Sequence, residues 1–227
     1  MRVLAIDTAL AACSAAVLDT EQARLLASDS VPMLRGHAEA LLPLLARLME
    51  KAGLTFDDID RVAVTTGPGS FTGLRVGIAA ARGIALAANK PAVGVSTLSA
   101  YAAPHIDVDK TVPVVAAIDA RHEHVYLQVF APGGHVLVTP RLAALSEAQR
   151  AAAAMPARIV GSAAQSVADG LPATAARPVI VDQRKAPDIA WVARMGAVVP
   201  VGAAPPKPQY MRAPDAQPQN AAQLPRR

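Results

Sequence analysis

Four glycines fall within the eleven residues GPGSFTGLRVG, positions 67–77, and such a density is typical of a loop that wraps closely around a ligand. Three kinds of chemistry use loops of this composition. A P-loop binds the phosphates of a nucleotide, a dinucleotide fingerprint binds a pyrophosphate, and a nucleophile elbow presents a reactive serine. Each motif requires its own spacing, so the spacing decides which chemistry is available.

Neither phosphate-binding motif is present. A P-loop has the pattern GxxxxGK[ST], but Gly69 and Gly73 are one residue too close together. Leucine and arginine follow the second glycine, where the P-loop requires lysine and a hydroxyl residue. A dinucleotide fingerprint has the pattern GxGxxG, whereas this stretch gives GxGxxxG with Pro68 in the tight turn. The stretch therefore does not predict a phosphate cradle.

The nucleophile elbow and the common metal motifs are absent as well. The pattern GxSxG requires glycine on both sides, but Ser70 has Pro68 and Thr72 at those positions. The sequence contains no HExxH pattern and no pairing of cysteine with histidine. In His-Glu-His at 122–124, a strand would place the two imidazoles on one face and the carboxylate on the other, so we interpret this run as a solvated hairpin. We expect no metal site in this chain.

We expect structural roles for two further side chains, His37 and Cys13. His37 stands at the predicted start of a helix, where we expect a structural or interface role rather than catalysis. Cys13, the one cysteine, excludes an intramolecular disulfide and lies in a strand-like run, so we expect it to be a small core residue.

The glycines do fit a turn that leads from a strand into a helix with small residues on one face. Each interior glycine costs about 1 kcal/mol of helix propensity. Close packing against a neighbouring backbone must offset that cost. The residues of this predicted structural turn are Gly67, Pro68, Gly69, Gly73 and Gly77.

The helix after the turn and the helix before it carry a surplus of apolar surface. The earlier one, HAEALLPLLARLMEKAGL, repeats leucine at helical spacing, and the later one is apolar nearly all round. We expect the two helices to form a partner surface, with burial in the chain's own core as the alternative. The expected interface residues are His37, Leu41, Leu44, Leu45, Leu48, Arg75, Ile78, Ala79 and Arg82.

The elements that position these residues fall into two similar halves. Strand-length apolar runs and helical periodicities give the order βββαβα twice, and Ile6-Asp7 falls on Ile118-Asp119, 112 positions later. Chance alignment of apolar strands is the alternative. We predict an α/β protein with an N-terminal lobe over 1–104 and a C-terminal lobe over 105–202. The Pro-rich tail over 203–227 is expected to be poorly ordered.

Composition narrows the possible functions. The 227 residues carry a net charge of +4, with scattered rather than clustered arginines, which permits an RNA-associated partner. Aromatic residues make up only 3%, which argues against a base-stacking platform. An acidic residue interrupts the apolar N-terminal run and no long apolar stretch follows, so we expect a cytoplasmic protein with no membrane association.

Several runs together resemble the TsaB (YeaZ) family. They are IDTALAACSAAVL, RGHAEALLPLL, VAVTTGPGSFTGLRVGIAAARGIALAANKPAVGVSTLSAYA, IDARHEHVY and PQYMR. The resemblance covers the whole predicted folded part and is most specific over residues 61–101. It implies the actin/Hsp70-like (ASKHA) fold of two lobes. It also implies a subunit of the machinery that transfers threonylcarbamoyl to adenosine 37 of tRNA.

The resemblance further implies partners. These are a TsaD-like catalytic paralogue in a heterodimer, a TsaE-like ATPase, and tRNA bound through the complex, with a homodimer when the chain is isolated. The paralogue's metal ligands lie in GVNHLEAH, whereas this sequence has GVSTLSAY, with Thr97 and Tyr101 at the two histidine positions. The chain is therefore expected to be non-catalytic and to carry no cofactor, with the metal and the adenylate on the partner.

The nucleotide cleft that the fold implies is expected to be degraded. Actin-like ATPases have a DxG motif in the first hairpin of each lobe, and here Asp7 and Asp119 are kept while both glycines are missing. We expect weak ATP binding, with loop stabilisation as the alternative role of the two aspartates. The alternatives to a scaffold are an autonomous ATP-binding enzyme and a glycoprotease-like peptidase.

Overall fold

The computed structural model describes residues 1–202 and 204–212. In chain order the elements are β1 (Arg2–Asp7), β2 (Ala12–Asp19), β3 (Arg24–Pro32), α1 (His37–Ala52), β4 (Arg61–Gly67), α2 (Phe71–Ala87), β5 (Ala92–Ser96), α3 (Thr97–Val108), β6 (Val114–Asp119), β7 (His124–Phe130), β8 (Val136–Ala144), α4 (Leu145–Ala153), β9 (Arg158–Val160), α5 (Ala164–Asp169), β10 (Ile180–Asp182) and α6 (Ile189–Val198). Short 3-10 turns occupy Phe56–Asp58 and Pro132–Gly134.

The strands form two five-stranded sheets of the same topology. The first has the order β3-β2-β1-β4-β5 and the second has β8-β7-β6-β9-β10. In each sheet the first strand pairs antiparallel with the second and parallel with the fourth. β1 and β6 begin at residues 2 and 114, so the offset of the repeat is the one that the sequence predicts. The predicted actin/Hsp70-like fold of two related βββαβα lobes is confirmed.

Helices cover both faces of each sheet. α1 and α2 pack on one face of the first sheet, and α4 and α5 pack on the corresponding face of the second. The strands β1 and β2 are consequently buried along almost their whole length, which explains why they are continuous apolar runs rather than alternating ones. Cys13 is one of these buried residues, and burial raises the pKa of its thiol to about 11.

The last helix of each half lies against the sheet of the other half. In α3, Leu98 and Tyr101 pack against β6 of the second sheet. In α6, Val192 and Ala193 pack against β1 and β4 of the first sheet. The two halves therefore share their inner layers.

The predicted partner surface needs correction on both helices. The leucine stripe of α1 and the isoleucine of α2 are buried in one cluster with β1, β2 and β4. They complete the core of the first sheet, because a helix that covers a sheet packs its widest apolar stripe against that sheet. The buried residues that therefore do not belong to a partner surface are Leu41, Leu44, Leu45, Leu48 and Ile78.

His37 is also buried, and it has a structural contact. Its Nε2 atom lies 3.1 Å from the carbonyl oxygen of Leu10, which joins the start of α1 to the loop between β1 and β2. The predicted structural role agrees with this contact, whereas an interface role does not, because little of the side chain is accessible.

The close approach that the glycines of α2 predict occurs within the chain. A methyl group at Gly73 would overlap the carbonyl oxygen of Thr8, and one at Gly77 would overlap the Thr8 hydroxyl. A methyl group at Gly69 would overlap the carbonyl of Ala9. The neighbouring backbone that the sequence predicts is therefore the β1–β2 loop of the same chain.

We predict that Gly73→Ala destabilises the protein, because the added methyl group has no space beside Thr8. Overpacking of this kind costs about 1–3 kcal/mol. Gly83→Ala in the same helix is the matched control, because nothing lies within 4 Å of its added methyl group. We expect the control to gain about 0.5–1 kcal/mol from helix propensity. Urea unfolding followed by circular dichroism measures both, and equal effects of the two substitutions would contradict the close contact.

Candidate functional site

A cleft of about 630 Å³ opens between the two sheets. Its walls come from the loops that follow β1 and β6, from the start of α2, and from residues 209–212, which we call the C-terminal segment. The lining residues are Ala9, Leu10, Ala11, Leu34, Pro68, Gly69, Ser70, Phe71, Asp119, Ala120, Arg121, Tyr126, Ser162, Lys185, Gln209, Tyr210, Met211 and Arg212. This is the cleft in which the fold predicts a degraded nucleotide site.

Asp7 ends β1 but does not line the cleft. It is completely buried, and its Oδ1 atom accepts hydrogen bonds from the Thr65 hydroxyl at 2.6 Å and from the Ala9 amide at 3.0 Å. Its Oδ2 atom is buried without a hydrogen-bond partner among the described residues. Burial raises the pKa of this carboxyl, and the hydrogen bonds from Thr65 and Ala9 oppose the increase. A carboxyl of this kind supports its own loop and is not available to a ligand.

Asp119 occupies the equivalent position at the end of β6, and it is exposed on the cleft wall. Its Oδ1 atom accepts a hydrogen bond from the Arg121 amide at 2.8 Å, two residues along the chain, as Asp7 does from Ala9. Both aspartates therefore have the loop-stabilising contact that the sequence offers as the alternative to nucleotide binding. Only one of the two predicted cleft residues faces the cleft.

The turn after β6 is tight and exposed. Arg121, His122 and Glu123 have positive φ angles of 62°, 51° and 59°. The turn is closed by hydrogen bonds from the Ala120 amide to the His124 carbonyl and from the His124 amide to the Arg121 carbonyl. The interpretation of this run as a solvated hairpin is confirmed.

The C-terminal segment, residues 209–212, forms one wall of the cleft, so the prediction of a poorly ordered tail does not hold for these four residues. The Gln209 amide donates to the Thr66 carbonyl at the end of β4, at 2.8 Å. The Arg212 guanidinium donates to the Ala120 carbonyl after β6, also at 2.8 Å. Residues 209–212 thus join the ends of the two sheets. Residue 203 and residues 213–227 lie outside the described residues.

Gly67 has a specific function in this contact. Its φ angle is 117°, a conformation that favours glycine, and a Cβ atom there would lie 2.9 Å from the Gln209 carbonyl oxygen. The glycine therefore lets the C-terminal segment lie directly on the end of β4.

An aromatic cluster links the C-terminal segment to the start of α2. The rings of Phe71 and Tyr210 are stacked with centroids 4.9 Å apart. The Arg75 guanidinium lies 3.8 Å from the Phe71 centroid, and its Nε atom donates to the Tyr210 hydroxyl at 2.8 Å. Sequence reasoning missed this cluster, although the run PQYMR in the tail was a signal for it.

The two positions that correspond to the paralogue's metal ligands lie inside the protein. Thr97 is 0% exposed and Tyr101 is 1% exposed. The Tyr101 hydroxyl donates to the Arg184 carbonyl at 2.9 Å, so its side chain contributes to packing between α3 and the second half. Within the described ranges, no group of three or more His, Cys, Asp and Glu side chains could hold a metal ion. No helix in the described part is long and apolar enough to cross a membrane.

The sequence matches the model of a family described as TsaD, tRNA N6-adenosine threonylcarbamoyltransferase, over residues 31–199. The tRNA threonylcarbamoyladenosine biosynthesis protein TsaB of Escherichia coli is 42% identical over 128 residues, 56% of this chain. An uncharacterized protein of Mycobacterium tuberculosis is 33% identical over 221 residues, which cover 95% of this chain and 94% of that protein.

The chain belongs to the TsaB (YeaZ) family. A solved Pseudomonas aeruginosa protein, described as similar to the peptidase YeaZ, has the same fold with a TM-score of 0.76 and 29% identity. That similarity covers 93% of this chain and 99% of the other. The aligned part is 53% of the E. coli TsaB and 52% of the Haemophilus influenzae TsaB, so the chain spans about half the length of the curated TsaB relatives that it matches.

We predict that Asp7→Asn raises the free energy of unfolding at neutral pH. The folded state raises the pKa of Asp7, so its ionisation costs stability as pH rises from the unfolded value of 3.8 through the folded pKa. Asparagine keeps an oxygen for Thr65 and has no charge to bury. The advantage should therefore shrink toward acidic pH. Asp119→Asn is the control, and because its carboxyl is exposed we expect a change within about 0.5 kcal/mol.

Urea unfolding between about pH 4 and pH 8 measures the difference between the two variants. An Asp7→Asn protein that is less stable than the original at neutral pH would show that the buried carboxylate is a net stabilising group.

Proposed function

We propose that this chain is a non-catalytic scaffold subunit of a complex that transfers threonylcarbamoyl to adenosine in tRNA. Its TsaB relatives are named as tRNA threonylcarbamoyladenosine biosynthesis proteins, and the matching family is named for the transferase. The partner is a TsaD-like paralogue, which binds the metal and the adenylate. A TsaE-like ATPase and tRNA join through the complex.

The burial of Thr97 and Tyr101 carries the non-catalytic part of the proposal. Both side chains are inside the protein, at the positions where the paralogue has histidines. Neither a threonine nor a tyrosine replaces neutral imidazole as a ligand for iron or zinc, and neither has access to solvent here. The chain therefore contributes assembly, and the paralogue contributes the chemistry.

The exposed side of α2 supports a revised partner surface. Arg75, Ala79 and Arg82 point outward together with Gly83 and Leu86, and Leu86 is 84% exposed. Alanine and glycine in the middle of this face allow a partner helix to approach closely, and the arginines flank the apolar strip. On α1, the neighbouring exposed apolar residue is Leu42, which is 63% exposed. In the isolated chain the same face would pair two copies as a homodimer.

The two alternative functions have less support. An autonomous ATP-binding enzyme needs access to both aspartates of the cleft, and Asp7 is buried. A glycoprotease-like peptidase needs a base beside Ser70, but no histidine is among the residues that line the cleft with it. The Ser70 side chain instead accepts a hydrogen bond from the Gly73 amide and caps α2.

The proposal predicts that Ala79→Trp abolishes binding to the paralogue, because an indole in the small-residue strip holds a partner helix away. Co-purification of a tagged paralogue with this chain measures the binding, and thermal melting checks the fold. Ala154→Trp is the matched control, because this exposed alanine follows α4, which packs on the second sheet and not on the first. We expect it to bind as the original does.

The function itself is tested by reconstitution of threonylcarbamoyl transfer to tRNA from the paralogue and the ATPase, with and without this chain. We expect at least a tenfold loss of product without the chain, and the same loss with Ala79→Trp. Product formation that does not depend on the chain would refute the scaffold role.

A further inference from the structure

Three of the few aromatic side chains of this protein line the cleft. Seven aromatic residues occur in the sequence, all within the described part, and Phe71, Tyr126 and Tyr210 line the cleft. Phe71 and Tyr210 are the most exposed of the seven, at 38% and 45%. The low aromatic content of the whole chain does not exclude a stacking platform, because Phe71 and Tyr210 form a stacked pair at the cleft.

The Phe71–Tyr210 pair is held rigidly. The rings stack on each other and Arg75 contacts both. On either side of Tyr210, the Gln209 backbone amide is bound to β4 and the Arg212 side chain is bound to the loop after β6. A platform that is already ordered does not lose conformational freedom when a flat group stacks on it. Its accessible edges and faces therefore form a prepared surface for an aromatic ligand.

The same opening has a positive charge. Arg121, Lys185 and Arg212 line the cleft with a single carboxylate, that of Asp119. Arg121 and Lys185 are exposed, and neither forms an ion pair with another residue in the described ranges. The cations therefore complement an anionic ligand that extends across the opening from the platform.

The cations at the opening and the Phe71–Tyr210 platform together form the rim of the cleft. We propose that this rim binds single-stranded RNA, with phosphodiester groups at Arg121 and Lys185 and a base stacked on the platform. Stacking surfaces combined with cations are how proteins bind single strands without reading sequence. The inference rests on the proposed function, which brings tRNA to the complex, and it assigns this chain a direct contact with the RNA. A free nucleotide shares the chemistry of the site, so the experiment includes it as a competitor.

The first test measures the affinity of the full chain for a fluorescein-labelled 12-nucleotide RNA by fluorescence anisotropy across a salt series. Arg121→Gln/Lys185→Gln should weaken binding about tenfold at low salt. It should also reduce the slope of log K against log salt by about 1.4, since each phosphate contact on a single strand contributes about 0.7. Arg150→Gln/Arg177→Gln is the control with the same change in charge, because neither residue lines the cleft. We expect its slope to be that of the original.

The second test separates stacking from charge. Tyr210→Leu should weaken RNA binding about tenfold, with an unchanged salt slope, because it removes the ring and no cation. Tyr210→Phe keeps the ring and loses only the hydroxyl that accepts from Arg75. It should bind RNA as the original does, which separates stacking from a general structural effect.

The outcomes are distinct from those that test the scaffold role. Each variant is also assayed for co-purification with the paralogue, and loss of RNA binding with retained co-purification supports the RNA site. Four results would overturn it. The first is unchanged RNA binding in both Arg121→Gln/Lys185→Gln and Tyr210→Leu, and the second is an equal loss in the control pair. The third is loss of co-purification together with RNA binding, which would assign the rim to a protein partner. Competition by AMP as strong as by the 12-nucleotide RNA would likewise assign the site to a free nucleotide.

Discussion

The rest of the structure depends on the backbone contact between α2 and the loop that follows β1. The Ser70 amide donates to the Ala9 carbonyl at 2.7 Å, and the Thr8 hydroxyl donates to the Gly73 carbonyl at 2.7 Å. No side chain of α2 lies between the two segments at these positions, because the α2 residues that meet the loop are glycines. The contact fixes both where α2 starts and how it is rotated about its axis.

Three features of the molecule follow from the placement of this one helix. Its inner face completes the core of the first sheet. Its first turn forms one wall of the cleft, where Phe71 meets the C-terminal segment. Its outer face presents small residues between arginines. If the glycines faced outward, α2 would not complete the core of the first sheet. If α2 were rotated by a quarter turn, Phe71 would not meet the C-terminal segment and the small residues would not form the outer face.

The sequence predicts the parts of the structure that depend on local periodicity. The strands, their order and the offset between Ile6-Asp7 and Ile118-Asp119 follow from apolar runs of strand length and from helical periodicities, both of which are visible in the local sequence. The burial of the α1 leucines was harder to predict. An apolar stripe on a helix has the same spacing whether it faces the chain's own sheet or a partner. The sheet that covers them is formed by residues elsewhere in the chain, so the burial of Leu41 is not encoded in the stripe.

The site was predictable to a smaller extent. Asp7 and Asp119 occupy equivalent positions in the repeat, yet Asp7 is buried and bound to the Thr65 hydroxyl, whereas Asp119 is exposed. Equal position in a repeat does not determine which side chains elsewhere in the chain surround a residue. The platform at Tyr210 depends on contacts between residues more than 130 positions apart, as in the 135-residue separation from Arg75. The Pro-rich composition of the tail does not indicate such a contact. It predicts a locally stiff backbone, but not the surface against which the segment packs.

The position of α3 and α6 has a consequence for the stability of the two halves. Each half has the order βββαβαβα, and its last helix packs on the sheet of the other half. Two separate copies of one such unit that exchanged their last helices would have this arrangement, which is the definition of a domain-swapped dimer. Because both helices belong to one chain, each half contributes a layer to the core of the other. Neither half therefore completes its own core alone.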